Sequence, residues 1–425
     1  MCTHHPHASP APEPEAQPNP GPAADPPRPA ASSLPAATGP LYDAHCHPTD
    51  NMHHASCIAS MRISRLIAMS TRIQDQPLVA ALAQSSPKVV PAFGWHPWFA
   101  HLLYDDSPTT NVVGAPPHRP DLKTAHYAAV LDMHTPLSPA DAAFIARLPA
   151  PHSLSTFLAD TRVRLLAHPT ALVGEIGLDR AFRLPEHPAP FAAPPPAPAP
   201  AATPGTRAGR RLSPYRVSLA HQRSVLAMQV ALAAELNRPI SVHGVQAHGV
   251  LYEVLADTWR GHEREVANRK RRRLLARGMS AEEAESSADE GDDDGPRAKG
   301  AVTPAAKPFP PRICLHSFSG PKDVAQQYLH PKIPCAVYFS FSSAVNLLGG
   351  SLTKAKSGSA RQKLEAVLSV VPDDRILAES DLDTPGDRMD AVLADIYATI
   401  CEIKGWEPEA GVAQIARNFE AFVTS

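Results

Sequence analysis

Residues 41–47 read LYDAHCH, a short apolar segment that ends in a carboxylate and two imidazoles. Side chains two residues apart on a β-strand point to the same face of a sheet. His45 and His47 are therefore expected to project side by side from the end of a strand. Because paired imidazoles make up half of a typical metal site, the segment predicts a strand that carries metal ligands.

The amino-acid composition says more about where in the cell the protein is expected than about its function. The 425 residues carry a formal net charge of −2, which requires neither nucleic acid nor a membrane as partner. No run of about 18 apolar residues occurs, so a membrane span is not expected. Six cysteines without paired spacing, and an N-terminus without the apolar core of a secretory signal, predict an intracellular protein of the cytoplasm, the nucleus or both.

Several segments differ from the rest in composition. Residues 1–40 are rich in proline and alanine and are expected to form a disordered tail. Residues 101–137, 186–212 and 261–308 are expected to be insertions, because they hold turn formers, proline-rich runs and blocks of like charge. The remainder of residues 41–425, roughly 270–300 residues, suits one large α/β barrel.

Eight short apolar runs follow one another, and helical patterns separate most of them; Val217–Leu236 is the clearest helix. Strand–helix alternation repeated eight times predicts an α/β protein with a parallel (β/α)₈ barrel instead of an open sheet. The runs are Leu41–His45, Arg65–Met69, Val89–Trp95, Ala171–Ile176, Pro239–His243, Arg312–His316, Ala336–Phe341 and Arg375–Glu379.

Ionisable residues stand at the ends of six of these runs. In a (β/α)₈ barrel the carboxyl ends of the strands meet at one face and form the active site. Four imidazoles and two carboxylates there would suffice for two divalent ions with a bridging carboxylate; the donor set suits Zn²⁺, with Mn²⁺ and Mg²⁺ as alternatives. The candidate ligands are His45, His47, Glu175, His243, His316 and Asp381.

Each candidate also has an ordinary structural explanation. His243 and His316 could be core histidines, Asp381 could cap a helix, and His96 could be a loop residue before a proline. Glu175 is harder to explain this way, because a buried carboxylate costs several kcal/mol unless it is paired or coordinated. The joint pattern, and no single residue, predicts the metal site.

These motifs, in this order, resemble the TatD family of metal-dependent deoxyribonucleases, which belong to the amidohydrolase-like TIM-barrel hydrolases. The combination of GEIGLD at 174–179 and HSFSG at 316–320 is specific to the family, and GLDRAFRLP at 177–185 is similar to its fungal branch. The other matching pieces are Asp43–His47, Gly94–Pro97, Gln222–Gln229, Pro239–His243, Glu379–Asp381 and the pair Asn418-Phe419.

The resemblance implies a metal-dependent nuclease with two divalent ions, Zn, Mg or Mn. His45, His47 and Asp381 would hold one ion. His243 and His316 would hold the second.

The resemblance also implies roles in catalysis. Glu175 would bridge the ions, Asp381 would act as general base while it binds metal, and His96 would line the pocket and contact a substrate phosphate. Two places depart from the family. Val245 stands where an arginine is usual, and an arginine there could bind a phosphate through two hydrogen bonds. Leu382-Asp383-Thr384-Pro385 follow Asp381, where the family often has a short residue and then a proline.

Three functions remain open at this point. The first is a phosphodiesterase that cleaves DNA or another nucleic acid with a metal-activated water. The second is a hydrolase of another amide, ester or small phosphodiester, because a barrel and its metals do not fix the bond that is cleaved. The third is a non-enzymatic role in which the tail and the charged insertion bind a protein partner.

Overall fold

A computed structural model describes the chain in five ranges, which are 39–106, 120–186, 211–265, 307–347 and 354–424. The predicted disordered tail, apart from its last two residues, lies outside the described residues. Most of the predicted insertions at 186–212 and 261–308 lie outside them as well.

Each of the eight apolar runs contains a strand of one parallel barrel. The runs form strands because they are rich in valine, isoleucine, leucine and aromatic residues that are buried on both faces of the sheet. The barrel strands are β1 (Leu41–Cys46), β2 (Ile63–Met69), β3 (Val89–Ala92), β4 (Val173–Asp179), β5 (Ile240–Val245), β6 (Arg312–Leu315), β7 (Ala336–Phe341) and β8 (Ile376–Ala378).

Two junctions close the strands into a ring. Hydrogen bonds pair β1, β2 and β3 in order, and β4 to β8 in order. The first junction joins β3 to the start of β4, where the amide of Phe93 donates to Leu172 O at 3.0 Å. The second joins β8 to β1, where the amide of Asp381 donates to His45 O at 3.0 Å. The predicted (β/α)₈ barrel is confirmed.

Ten helices of the described residues accompany the barrel. The predicted helix at Val217–Leu236 is found at Leu219–Glu235. Local sequence sets several helix ends: Ser138 and Asp141 cap the helix that begins at Pro139, and Gly405, at φ 65°, ends the helix at Lys404. The helices are α1 (Gln76–Ser85), α2 (Pro120–Val130), α3 (Pro139–Arg147), α4 (Leu154–Ala167), α5 (Leu219–Glu235), α6 (His248–Trp259), α7 (Lys322–Tyr328), α8 (Lys354–Leu368), α9 (Asp387–Lys404) and α10 (Pro408–Val423).

The last helix packs against the inside of the barrel. Phe419 and Phe422 of α10 are buried with side chains that the strands direct inward, such as Ile67 and Leu377. The side-chain amide of Asn418 donates to Ile376 O at 2.8 Å, which fixes α10 to β8. The pair Asn418-Phe419 in the sequence therefore has a structural role.

The segment between β3 and β4 forms a second apolar cluster beside the barrel. Residues 101–137 lack clear periodicity, yet α2 forms within them and buries Tyr127 completely. Tyr127 packs in one cluster with Phe144, Phe157 and Phe182. Phe182 follows β4 directly, so this cluster supports the wall of the carboxyl-terminal face.

A buried hydrogen-bonded pair ties β8 to β1. The hydroxyl of Ser380 donates to Asp43 Oδ2 at 2.5 Å, and the amide of Ser380 donates to Asp43 Oδ1 at 3.0 Å. Burial raises the pKa of Asp43 to about 7, although the bonds from Ser380 oppose that rise. The pair therefore satisfies a carboxylate that would otherwise be costly to bury.

We expect Ser380→Ala to lower the free energy of unfolding by about 2 kcal/mol, because it leaves the buried Asp43 carboxylate without its hydroxyl donor. Ser85→Ala, the same change at the exposed end of α1, is the control and should shift stability by less than about 0.5 kcal/mol. Urea denaturation measures both. Equal effects of the two substitutions would contradict this role of Ser380.

Candidate metal centre

Glu175 lies at the centre of the carboxyl-terminal face, and each of its oxygens faces a different pair of the four predicted imidazole ligands. Oε2 is 3.4 Å from His45 Nε2 and 3.4 Å from His47 Nε2. Oε1 is 3.0 Å from His243 Nδ1 and 2.9 Å from His316 Nε2. The four imidazoles lie at or near the carboxyl ends of β1, β5 and β6, as the sequence predicts. Glu175 lies within β4, because that strand continues to Asp179 and does not end at Ile176.

Asp381 completes the first pair. Its Oδ1 is 3.6 Å from His47 Nε2, and the two imidazoles of β1 lie 3.3 Å apart at their Nε2 atoms. The backbone of Asp381 has a φ of 55°, a left-handed conformation that turns the chain just after β8. His45, His47 and Asp381 thus form one group that could hold a metal ion.

The donor atoms are spaced as ligands of a shared ion would be. Atoms about 2.0–2.2 Å from one divalent ion, at tetrahedral or octahedral angles, lie about 2.8–3.6 Å from each other. The measured separations between 2.9 Å and 3.6 Å fall in that range. Two other groups, both of which include Glu175, could hold an ion: one with His45 and His316, and one with His96 and His243.

Three of the imidazoles have a polar partner on the side away from Glu175. Asp179 Oδ2 lies 3.2 Å from His243 Nε2, and Glu379 Oε1 lies 3.3 Å from His316 Nδ1. Because a carboxylate only accepts, the imidazole nitrogen that faces it carries the proton. The other nitrogen of His243 and of His316 also faces a carboxylate, Glu175, in the metal-free protein. A metal ion there would replace the proton on that nitrogen and leave the ring in the tautomer that metal binding requires.

His45 is held in the same way by a hydroxyl, since its Nδ1 lies 3.1 Å from Ser241 Oγ. Ser241, Asp179 and Glu379 were absent from the candidate residues. The period of two along a strand could have identified them, because Ser241 precedes His243 by two residues, Asp179 follows Glu175 by four and Glu379 precedes Asp381 by two.

Close backbone approach at Gly177 sets the position of β4 beside β5. A Cβ atom at Gly177 would lie 2.0 Å from His243 O, and the residue has a φ of 150°. No side chain fits there. The glycine between Glu175 and Asp179 therefore allows both carboxylates to reach the imidazole of His243.

The charges of the cluster are strongly coupled. Burial works against the ionised form of Glu175, but the imidazoles of His96, His316 and His45 hold its pKa well below the usual range. Burial also lowers the pKa of His47, yet its hydrogen bond to Asp381 and the charge of Glu175 outweigh that effect and raise it to about 9. In the absence of a metal, the ring of His47 is therefore protonated at neutral pH, and its proton lies among the donor atoms that a metal would contact.

His96 differs from the other imidazoles. Its Nδ1 accepts a hydrogen bond from the amide of Trp98 at 3.1 Å, and its Nε2 lies 3.1 Å from Glu175 Oε1. Burial lowers the pKa of His96 to about 4, so the ring is neutral. With Nδ1 accepting, the single proton is on Nε2, and His96 presents a donor where the other imidazoles present lone pairs.

The cluster opens into a cavity of about 440 Å³. Its apolar wall includes Trp98 and Phe99, and the ring of Trp98 stacks on Phe182 with centroids 4.7 Å apart. The indole nitrogen of Trp98 donates to Asp179 Oδ2 at 2.6 Å, which fixes the ring. The cavity is also lined by Asp50, Arg72, Val345 and Asp383.

The sequence model described as TatD related DNase matches residues 42–424, nearly the whole of the described chain. The chain belongs to the TatD family. The resemblance inferred from its motifs is thereby confirmed. Membership agrees with a centre of buried histidine and carboxylate groups that could hold metal ions.

Two relatives match most of the chain. The Cut9-interacting protein scn1 of Schizosaccharomyces pombe is 36% identical over 384 residues, which is 90% of this chain and 98% of that protein. A protein of Saccharomyces cerevisiae named an uncharacterized deoxyribonuclease is 24% identical over 401 residues, 90% of this chain and 99% of its own.

A crystal structure of an uncharacterized amidohydrolase from Saccharomyces cerevisiae has the same fold. The two share 12% identity with a TM-score of 0.50, over 90% of this chain and 99% of that one. Among the described residues, no helix has the length and apolar character needed to cross a bilayer.

We expect the affinity for a divalent metal to increase as the pH rises toward 9. Below the raised pKa of His47 the metal must displace a proton, and each displaced proton lowers the apparent affinity by about tenfold per pH unit. Calorimetric titration of metal into the metal-free protein, in buffers of different ionisation enthalpy, measures both affinity and proton release. An affinity that does not change with pH would contradict this assignment of His47.

We expect Asp179→Asn to weaken metal binding by about 10–100-fold, because His243 loses the carboxylate that orients its ring and increases its basicity. Asp160→Asn on the exposed side of α4 removes the same charge and serves as the control. Competition with a chromogenic chelator gives both affinities. If Asp179→Asn binds metal as the wild type does, Asp179 does not set the orientation of His243.

Proposed function

We propose that the protein is a metal-dependent phosphodiesterase that cleaves DNA or another nucleic acid. In this proposal His45, His47 and Asp381 hold one divalent ion, and His243 and His316 hold a second. The observation that supports it best is that the two oxygens of Glu175 face two separate pairs of imidazoles. A carboxylate in that position is suited to bridge two ions, and the mixed imidazole and carboxylate donors suit Zn²⁺, Mn²⁺ or Mg²⁺.

The two carboxylates of the centre differ in exposure, which separates their roles. Two divalent ions supply an activated water and neutralise charge on a phosphoryl oxygen. The side chain of Glu175 is 4% exposed and surrounded by imidazoles, so we assign it to holding the centre together. The side chain of Asp381 is 21% exposed and lines the cavity, so we assign it as the general base that takes a proton from water.

His96 is assigned to the substrate. It lines the cavity, and its Nε2–H lies 3.1 Å from Glu175 Oε1. When Glu175 binds metal, the neutral ring could donate that proton to a phosphate oxygen instead, without adding charge. The aromatic wall of Trp98 and Phe99 next to it can contact a base or sugar. This combination favours a nucleotide substrate over a small amide or ester, which would not need the aromatic wall.

A second candidate function is binding of a protein partner. It is favoured by the relative that is 36% identical and is named for its interaction with the protein Cut9. The two functions are compatible, since the surface outside the cavity is available to a partner. Co-purification of a stoichiometric protein with the Asp381→Asn variant would support a partner that does not depend on catalysis.

We also propose that the protein works inside the cell. Cys46, Cys57, Cys314, Cys335 and Cys401 are free thiols, and no disulfide joins any of the described cysteines. Free buried thiols are usual in reducing compartments. The cytoplasm and the nucleus both meet this condition.

We expect Asp381→Asn to lower kcat for single-stranded DNA by about 10²–10⁴-fold, because the variant lacks the general base. Asp387→Asn, at the exposed start of α9, removes one negative charge near the same face and should retain activity. Digestion of a labelled oligonucleotide by the metal-loaded proteins measures both.

The outcome also separates the alternatives. Metal binding with no digestion of DNA or RNA by the wild type would favour a hydrolase of another substrate. Wild-type activity in Asp381→Asn would contradict its role as general base.

A further inference from the structure

Three exposed arginines lie on the loop that follows β4, at the face that carries the metal centre. Arg180 comes directly after Asp179, the last residue of β4, and Arg183 follows three residues later. Arg216 belongs to the returning segment that leads into α5. All three side chains are exposed. The catalytic roles assigned above use none of them.

The fold brings these three residues into one patch. A guanidinium nitrogen of Arg216 donates to the carbonyl oxygen of Arg180. The amide of Leu184 donates to Tyr215 O at 3.0 Å, so Arg183 and Arg216 lie on neighbouring stretches of backbone. We call Arg180, Arg183 and Arg216 the rim arginines.

The rim arginines are adjacent to the wall of the cavity. Asp179, next to Arg180, contacts both His243 and the indole of Trp98. Phe182, next to Arg183, stacks on Trp98. Arg180 and Arg183 therefore directly follow, in the sequence, the two residues that hold Trp98 in the cavity wall.

Within the described ranges, no ion pair with a carboxylate neutralises the charges of the rim arginines. Among the described residues, other arginines form ion pairs with carboxylates, such as Arg162 with Glu235 and Arg211 with Glu186. None of these ion pairs includes a rim arginine. An arginine without a carboxylate partner keeps its donors available for another anion. The patch thus presents three cations close to the reaction site.

Apart from any bound metal ions, the only arginine or lysine among the described residues that line the cavity is Arg72. Its lining includes the carboxylates of Asp50, Asp381 and Asp383 in addition to Glu175, and the whole chain has a formal net charge of −2. A nucleic acid that approaches such a cavity needs local positive charge outside it, because phosphate contacts supply most of the sequence-independent affinity.

We propose that the rim arginines bind the phosphates of a single-stranded nucleic acid whose end or internal bond enters the cavity. This inference rests on the proposed function, since it assumes that the bond cleaved is a phosphodiester. It adds that the substrate is a polymer longer than the cavity. The protein would therefore distinguish an oligonucleotide from a small phosphodiester by contacts at Arg180, Arg183 and Arg216.

The test is a triple variant, Arg180→Gln, Arg183→Gln and Arg216→Gln, in the full-length metal-loaded protein. The matched control removes the same charge elsewhere through Arg260→Gln, Arg264→Gln and Arg417→Gln. Arg260 and Arg264 follow the end of α6, which runs away from the metal centre, and Arg417 lies on α10. Circular dichroism and metal content verify that both variants are folded and loaded.

Binding of a labelled single-stranded oligonucleotide is measured on the metal-loaded proteins by fluorescence anisotropy at several salt concentrations, with phosphorothioate linkages in the oligonucleotide to prevent cleavage. We expect the rim variant to lose at least about tenfold in affinity at low salt, and its plot of log K against log salt to become shallower by about 2, as three lost phosphate contacts require. The control variant should retain the wild-type affinity and slope. Wild-type affinity and slope in the rim variant would overturn the proposal.

Kinetics distinguish this inference from the proposed function. With bis(p-nitrophenyl) phosphate, a phosphodiester too small to reach the rim, kcat and KM of the rim variant should match the wild type. With the oligonucleotide, KM should rise about tenfold or more while kcat changes little, because uniform binding is lost. If the wild type cleaves neither substrate, the proposed function fails; if it cleaves both and the rim variant has an unchanged KM for the oligonucleotide, only the inference about the rim arginines fails.

Discussion

The buried charge of Glu175 is the constraint on which the rest of the site depends. An ionised carboxylate in the middle of a barrel would cost several kcal/mol without compensation, and here five surrounding imidazoles provide it. Three of those imidazoles are in turn oriented from the outside by Ser241, Asp179 and Glu379. The polar network therefore extends from one carboxylate through two layers of side chains.

Barrel closure and the metal centre depend on the same residues. Asp43 and Ser380 join the first strand to the last, and each lies within two residues of a proposed ligand, His45 or Asp381. The amide of Asp381 also donates to His45 O. The two halves of the first ligand group are thus brought together by the hydrogen bonds that close the barrel, so the geometry of the site follows from the fold.

The barrel and the convergence of the six candidate ligands could be predicted from the sequence, because strand ends are marked by local patterns that topology then assembles. The period of two placed His45 and His47 on one face, and the order of the runs placed Glu175 opposite them. The helix at Pro120–Val130 could not be predicted, since its stability comes from Tyr127 packing on Phe144 and Phe157, which are distant in sequence. The proton on His96 Nε2 likewise depends on the amide of Trp98 and appears only in three dimensions.

The carboxyl-terminal face of the barrel carries positive charge even though position 245 is a valine. The amide of Arg180 donates to Val245 O at 3.0 Å, so an arginine follows the neighbouring strand instead. Arg72 lines the cavity from the end of β2 and packs over the ring of Phe99 at 4.5 Å. Cations near the centre are therefore supplied by other strand ends, which is compatible with an anionic substrate.

Anomalous scattering from a crystal of the protein grown with Zn²⁺ or Mn²⁺ tests the central claim most directly. The account predicts two peaks above the absorption edge of the metal, one bounded by His45, His47 and Asp381 and one by His243 and His316, with Glu175 in contact with both. A single peak, or peaks away from Glu175, would contradict a centre in which this buried carboxylate bridges two ions.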